Sequence, residues 1–499
     1  MTSVTNAPDA RDAPDAHDLL DTPDAGAAAI RGGALRIAGY IVGVGASVIS
    51  SALLLRHLGV KATGNYVTVM SLVALAGGVT ETGLAAMGVR ELSTLPPDRA
   101  QSFFRSLAGL RLVCILVGIL CAVAIAFLSA YSSTMVLGTL LAGGGFVLMT
   151  TQTTYSLPLM TRLRLDWVTA VELVRQIGMA AAIVVLVLVG APLLPFWAAA
   201  IPAGFAATAL AALLIHRSMP LLPAFDRAVW RPLLRRTLPY SLAAAVGAVY
   251  FRLAILIMSH VASGQQTGYF GASFRIIEVL FYVPQLIVGS TLPIFSRAAR
   301  DDRGRLNYAL GRTFDVCLLL GLAVGLSLIT GASFIIGVIA GPKFAPAANV
   351  LRIQGFALIA TFAGALLGYA LLSLGRYREV LLINLAVLVL SGVFTGILAS
   401  MFGAVGAAAA TTIVEVLYTG MLAAAVLRSG TRPRVSFSGM SRAILSALLG
   451  GLALVPPSLP SVARPVLALS IYCACLLALG AVPPEILEQI PRPRRSLAP

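Results

Sequence analysis

Charge is scarce in this chain. Only 11% of its 499 residues are Asp, Glu, Lys or Arg. A soluble chain of this length divides into domains, each with a polar skin, and this composition cannot supply one. Lysine is nearly missing, with Lys61 and Lys343 set against 34 arginines. The arginines are spread between apolar runs rather than gathered with aromatics, which argues against a nucleic-acid surface. The five cysteines (Cys114, Cys121, Cys317, Cys473 and Cys475) all fall inside apolar runs. Cys473 and Cys475 stand two apart, on nearly opposite faces of a helix, and are poor metal partners; all five read as small buried residues. The phosphate-binding pattern G-x-x-x-x-G-K-[ST] is missing, so the chain is not expected to hydrolyse ATP. Long polar loops with paired acids or bases are missing too, which counts against a membrane glycan polymerase or ligase.

What is present is apolar length. Hydrophobic residues make up 58% of the chain, and the mean hydropathy is +0.92. Runs of about 20 apolar residues, enough to cross a hydrocarbon core, recur along nearly the whole sequence. The expectation is an all-α polytopic membrane protein with about 14 transmembrane helices. They fall near 36–55, 66–88, 107–129, 135–158, 168–190, 194–215, 238–259, 270–295, 314–340, 348–373, 380–400, 403–427, 441–459 and 463–482, by the window logic of hydropathy. Pro456 and Pro457 interrupt the thirteenth.

The ends read differently. Asp9, Asp12, Asp15, Asp18, Asp21 and Asp24 recur every third residue among Ala and Pro. Such a segment buries no core and is expected to be a disordered acidic tail over 1–30. Its acidity and its want of an apolar stretch distinguish it from a signal peptide. A basic tail is expected over 484–499.

Loops after even-numbered spans carry the arginines, among them Arg90, Arg99, Arg162, Arg164, Arg231, Arg235, Arg300, Arg305, Arg376, Arg432 and Arg434. Loops after odd-numbered spans hold only Arg56, Lys61, Lys343 and Arg464. The positive-inside rule then places both termini in the cytoplasm.

The two halves echo each other. "RHLGVKATGNY" joins spans one and two, and "SHVASGQQTGY" joins spans seven and eight. A six-helix repeat of this kind gives an N-terminal bundle over 31–217, a linker over 218–237 and a second bundle over 238–428. Two additional helices follow over 429–483. Such repeats typically enclose a central cavity near the midplane.

Three ordered stretches, "LLRHLGVKATGNYVTVMSLVAL…ETGL…VREL", "LPYSLAAAVGAVYFRLAILIMSH…TGYFGASFRIIEVLFYVPQ" and "GPKFAPAANVLRIQGFAL…LLSLGRYREV…FGAVGAAAATTIVE", carry a resemblance over roughly residues 30–430. The chain resembles the polysaccharide (O-antigen-type) flippases of lipid-linked oligosaccharides, within the multidrug/oligosaccharidyl-lipid/polysaccharide exporter superfamily. The resemblance implies two pseudo-symmetric six-helix bundles around a cavity. It also implies alternating access and a cargo of polyprenyl-diphosphate-linked oligosaccharide, with a polysaccharide polymerase and glycosyltransferases as further partners beside the membrane lipids. Three features depart from the family pattern. Arg252 is followed by Leu253 and Ala254 where the family often has a hydrophobic residue and then Asp. The Asn and Pro residues that commonly end the eleventh span are absent from "SGVFTGILASMFGAVGAA", and the acid of the second span is Glu81 where Asp is usual.

Ionisable groups inside a membrane cost free energy unless paired or facing water. Arg252 sits in the apolar run "AVGAVYFRLAILIMSH". Three readings are open for it: snorkelling toward the interface, an ion pair with Glu278, or a cavity-facing anion site. A guanidinium suits a diphosphate, because its planar fork pairs with phosphate oxygens and stays charged. The candidate substrate-binding set is therefore Arg252 and Arg275, with Arg56 and Arg352 near span ends, and Tyr250, Tyr282, Gln285 and Tyr369 for the sugars. Tyr66 reads as an interfacial anchor. Glu415, Glu278 and Glu81 could couple transport to a proton or sodium gradient, while Glu81 could equally pair with Arg90. No cofactor or metal is indicated. Competing functions are another exporter of the superfamily, either a peptidoglycan-precursor flippase or a multidrug/cation antiporter, and, further off, a glycan polymerase or ligase.

Overall fold

The computed structural model describes residues 24–81, 84–454 and 459–481, and every regular element among them is helical. The first, α1 (Asp24–Glu81), breaks at Gly59. Its φ of +73° lies in the left-handed region that glycine enters without a Cβ penalty. The chain reverses there. Before the break, Leu54 and Leu58 pack with Ile183 and Leu186; after it, Gly88 sits against Leu107 and Leu157 at the other end of the molecule. Residues 24–30, expected in the tail, already belong to α1, consistent with the high helix propensity of "AGAAAIR".

There follow α2 (Leu84–Leu92), α3 (Pro97–Leu128), α4 (Ser133–Thr161), α5 (Leu165–Leu188), α6 (Leu193–Ala198) and α7 (Ala200–Ile215). The second half holds α8 (Arg227–Val261), α9 (Gly264–Asp301), α10 (Arg303–Ile339), α11 (Ala347–Ser373) and α12 (Tyr377–Arg428). The last of these reverses at Gly403 (φ +58°) as α1 does at Gly59. Two shorter helices, α13 (Phe437–Gly451) and α14 (Ala463–Ala478), pack on α10, where Tyr472 donates to the carbonyl of Leu319 at 3.0 Å. Among the described residues, ten helices are long and apolar enough to cross a membrane, and the two broken ones are counted once each. Large apolar side chains such as Phe127, Leu188, Val389 and Ile397 stay exposed. In water such a belt would be a liability; against lipid chains it costs nothing.

The two halves meet where α1 packs on α8 and α9. Glycine permits the close approach. A Cβ at Gly64 would overlap the carbonyl of Gly264, and one at Gly268 would overlap the carbonyl of Val60. Each half repeats the same internal contact at the arginine-rich end. The backbone N–H of Ala224 donates to the carbonyl of Arg105, and that of Arg434 to the carbonyl of Asn307, each at 2.9 Å. In each case the connecting segment leaves the sixth helical pass of its half and lies against a glycine, Gly109 or Gly311.

Candidate functional site

A cavity of about 370 Å³ lies between the halves. α1 contributes Ser47, Ser51 and Tyr66, and α4 contributes Phe146 and Met149. α5 adds Arg175 and Gln176, and α8 and α9 close it with Arg252, Phe274, Arg275 and Glu278. Its position follows from the seam: small residues bring α1 close to α9 at the Gly59 end, and the helices part beyond it.

The charged core of this cavity is a triad. Glu278 offers one carboxylate oxygen to each of two arginines. Arg252 Nη2 donates to Oε1, and Arg275 Nη1 donates to Oε2 at 2.8 Å. Arg275 reaches further, to Ser51 Oγ and Ser47 Oγ at 3.2 Å each, and so ties the second half to α1. The Arg252 guanidinium lies 5.6 Å from the ring centroids of both Phe251 and Phe274, within cation–π range. Across the cavity, Arg175 is held by Glu172, to which Gln176 also donates at 2.7 Å. Three arginines against two glutamates leave one net positive charge around the space.

A second, nearly apolar space of about 460 Å³ adjoins this cavity. It runs between α1, α9, α10 and α14 and shares Ser47, Ser51 and Arg275 with the first. Val279, Leu280, Val324, Leu328 and Ile335 line the rest. Arg275 thus stands at the junction of a charged chamber and an aliphatic one.

The sequence-derived candidates separate. Arg252, Arg275 and Glu278 meet in the cavity. Arg56 instead donates to the carbonyls of Gly337 and Val338 at the end of α10. Arg352 is held by Asn349 Oδ1 at 2.7 Å and Ser333 Oγ at 2.8 Å; neither arginine lines the cavity. Tyr282 and Gln285 are exposed, and Tyr369 packs against the core of the second half. Tyr250 turns away from the cavity and donates its hydroxyl to Glu415. Glu415 is 4% exposed and also accepts from Thr361 at 3.1 Å, so its described partners are hydroxyls. The Glu81 side chain lies outside the described residues. Tyr66 is a correction: it lines the cavity instead of anchoring at the interface. α1 turns back at Gly59, and seven residues of returning helix carry Tyr66 about 10 Å inward.

Sequence reading passes over Arg111, Arg175 and Glu172, although a lone guanidinium in an apolar run is the signal that singles out Arg252. Arg111 is 1% exposed and donates to Thr153 Oγ1 at 3.1 Å. Beside Thr153, Thr154 and Ser156 bond carbonyls of their own helix, and Tyr155 donates to the carbonyl of Leu221.

The polysaccharide biosynthesis protein family matches residues 53–349, more than half of the chain and a stretch that carries the whole triad. The chain belongs to that family. That membership ties the chain to polysaccharide biosynthesis. Its fold is similar to that of a solved lipid II flippase in an inward closed conformation. The TM-score is 0.74 at 13% identity, over 88% of this chain and 97% of that one. It is also similar to an inward-facing multidrug resistance transporter of the superfamily (TM-score 0.65, 12% identity, 78% of this chain and 96% of that chain). A superfamily transporter from Pyrococcus furiosus shares it as well (TM-score 0.55, 14% identity, 85% and 99%). At such identities the likeness is one of fold. No curated protein matches the chain.

Proposed function

We propose that the protein translocates a polyprenyl-diphosphate-linked oligosaccharide across the plasma membrane for surface polysaccharide assembly. The observation that carries this reading is the junction at Arg275, where a chamber walled by three arginines opens onto an aliphatic groove. A lipid-linked glycan has the same two parts: a diphosphate, for which guanidinium forks are matched donors, and a polyprenyl chain that gains nothing from leaving apolar surroundings. A multidrug carrier of cations would want acids in excess on these walls, and arginines are in excess here.

In this reading the two broken helices count as four crossings and the chain makes fourteen. The two six-helix bundles rock against each other and part along the α1–α9 seam, with the arginine-rich end and both termini in the cytoplasm. The matched connections at Gly109 and Gly311 support a repeat of two bundles. Glu415, buried in the second half with hydroxyl partners, is the site through which a proton or sodium gradient would act. A polymerase and glycosyltransferases of the same assembly route would supply and receive the cargo.

The similarity to a lipid II flippase favours a second reading, a peptidoglycan-precursor carrier that uses the same diphosphate chemistry with a different headgroup. Transfer in proteoliposomes separates them. Fluorescent polyprenyl-diphospho-oligosaccharide is expected to cross with the protein and not without it, and the peptidoglycan precursor to cross poorly. Transfer of the precursor alone would decide for the second reading. Transfer of neither, by intact protein under an ion gradient, would contradict both.

A further inference from the structure

Glu278 poses a problem for a diphosphate site. The oxygens a diphosphate would offer to Arg252 and Arg275 are already represented by Glu278 Oε1 and Oε2. A carboxylate bridging two guanidiniums copies the geometry of a phosphate doing the same. Resting on the diphosphate reading above, we infer that Glu278 is an internal stand-in for the substrate: it holds Arg252 and Arg275 until the diphosphate displaces it, and it takes up a proton as it leaves them.

Three observations lead there. First, the side chain of Glu278 is 11% exposed while that of Arg275 is 45% exposed, so the donor faces the cavity and the acceptor is tucked behind it. A ligand can reach Arg275 and draw it away without first moving the carboxylate into water. Second, without Glu278 two guanidiniums would face each other across a low-dielectric space, at a cost that a paired carboxylate removes. Third, the charges do not balance with substrate present. Arg175, Arg252 and Arg275 against Glu172 and Glu278 leave one positive charge, and a diphosphate diester brings two negative ones. The site is then one negative charge in excess, and one proton closes the account.

The groups facing Glu278 narrow the choice of acceptor. They are Arg252 of α8, Arg275 on its own helix, Tyr66 of α1 and, across the cavity, Arg175 of α5 with Glu172. No described charged group of α10, α11 or α12 lines the wall. Glu172 keeps both Arg175 and Gln176 as donors. Glu278 is therefore the carboxylate left without partners once its arginines turn to phosphate, and a bare carboxylate in such surroundings neutralises. The proton comes from the water entering with the substrate and returns to water when Glu278 retakes its arginines. That return also expels the diphosphate, which gives the carrier a way to release a tightly held anion.

The test is calorimetric binding of farnesyl-diphospho-N-acetylglucosamine, a diester whose two charges do not titrate near neutrality, to the full-length protein in nanodiscs. The wild type is run in two buffers of different ionisation enthalpy, and uptake of about one proton per ligand is expected at neutral pH. Glu278→Gln is expected to bind about tenfold more tightly, having lost its competitor, with no proton uptake and slower transfer in proteoliposomes. Proton uptake near zero in the wild type overturns the inference without any variant having to fold. Unchanged or weaker binding by folded Glu278→Gln also overturns it, while loss of binding in Arg252→Ala leaves the diphosphate reading standing. If Arg252→Ala binds as the wild type does, the reading beneath the inference falls with it.

Discussion

The arginines of this protein differ in what they touch. Arg252 and Arg275 share a carboxylate beside a cavity, Arg56 and Arg352 are spent on carbonyls, a hydroxyl and an amide at helix ends, and Arg111 is sealed within the first half. For Arg111 the expectation is structural. Arg111→Ala removes a buried cation and leaves Thr153 without its donor, at a cost of about 2–4 kcal/mol. A fall in the thermal midpoint of the detergent-solubilised protein checks this, and binding of the diphosphate diester by the surviving folded fraction should not change. Part of the site is legible in the sequence. Arg252 stands out because a permanent charge in an apolar run demands an explanation, and Glu278 because it is an acid within reach on the next span. Arg175 is harder to see, since Glu172 three residues earlier makes it read as an ordinary helical ion pair. That Arg175 faces the same chamber as Arg252 is a fact of tertiary packing.

Among the elements, the two broken helices carry the sharpest tests. Gly59 and Gly403 both sit at positive φ, but their surroundings differ: a Cβ at Gly59 meets nothing within 4 Å, whereas one at Gly403 would lie 2.6 Å from Gln266 Oε1. That oxygen also accepts the Ala404 N–H at 2.9 Å and so begins the returning helix. Gly59→Ala should therefore cost only backbone strain, about 1 kcal/mol. Gly403→Ala adds the loss of that cap, for a total of about 2–3 kcal/mol. Thermal midpoints measured side by side check the order, and equal shifts would refute the capping role of Gln266. The span pattern was readable from hydropathy because lipid tolerates only long apolar helices with every backbone group satisfied. The reversals at Gly59 and Gly403 fall at expected span boundaries, between 36–55 and 66–88 and between 380–400 and 403–427, but that each is made by a single glycine inside continuous helix does not show in hydropathy. The same limit explains Tyr66, which looks interfacial until the tight reversal carries it into the cavity.

For the molecule as a whole, the question is whether the halves must separate at the α1–α9 seam. A Cβ at Gly271 would lie 3.2 Å from that of Val67, close to the spacing of a disulfide. In a background lacking the five native cysteines, Val67→Cys with Gly271→Cys should cross-link on oxidation and stop transfer, and reductant should restore it. Full transfer by the oxidised pair would mean that the bundles do not part there.

The most direct measurement compares Arg252→Ala with Arg56→Ala for transfer of polyprenyl-diphospho-oligosaccharide in the same proteoliposome preparation. Both remove one arginine from the membrane region, but only Arg252 lines the chamber. If the chamber holds the diphosphate, Arg252→Ala loses about tenfold or more of the wild-type rate, the worth of one charge-assisted contact, and Arg56→Ala keeps most of it. Equal rates in the two variants, or a greater loss in Arg56→Ala, would contradict the central claim.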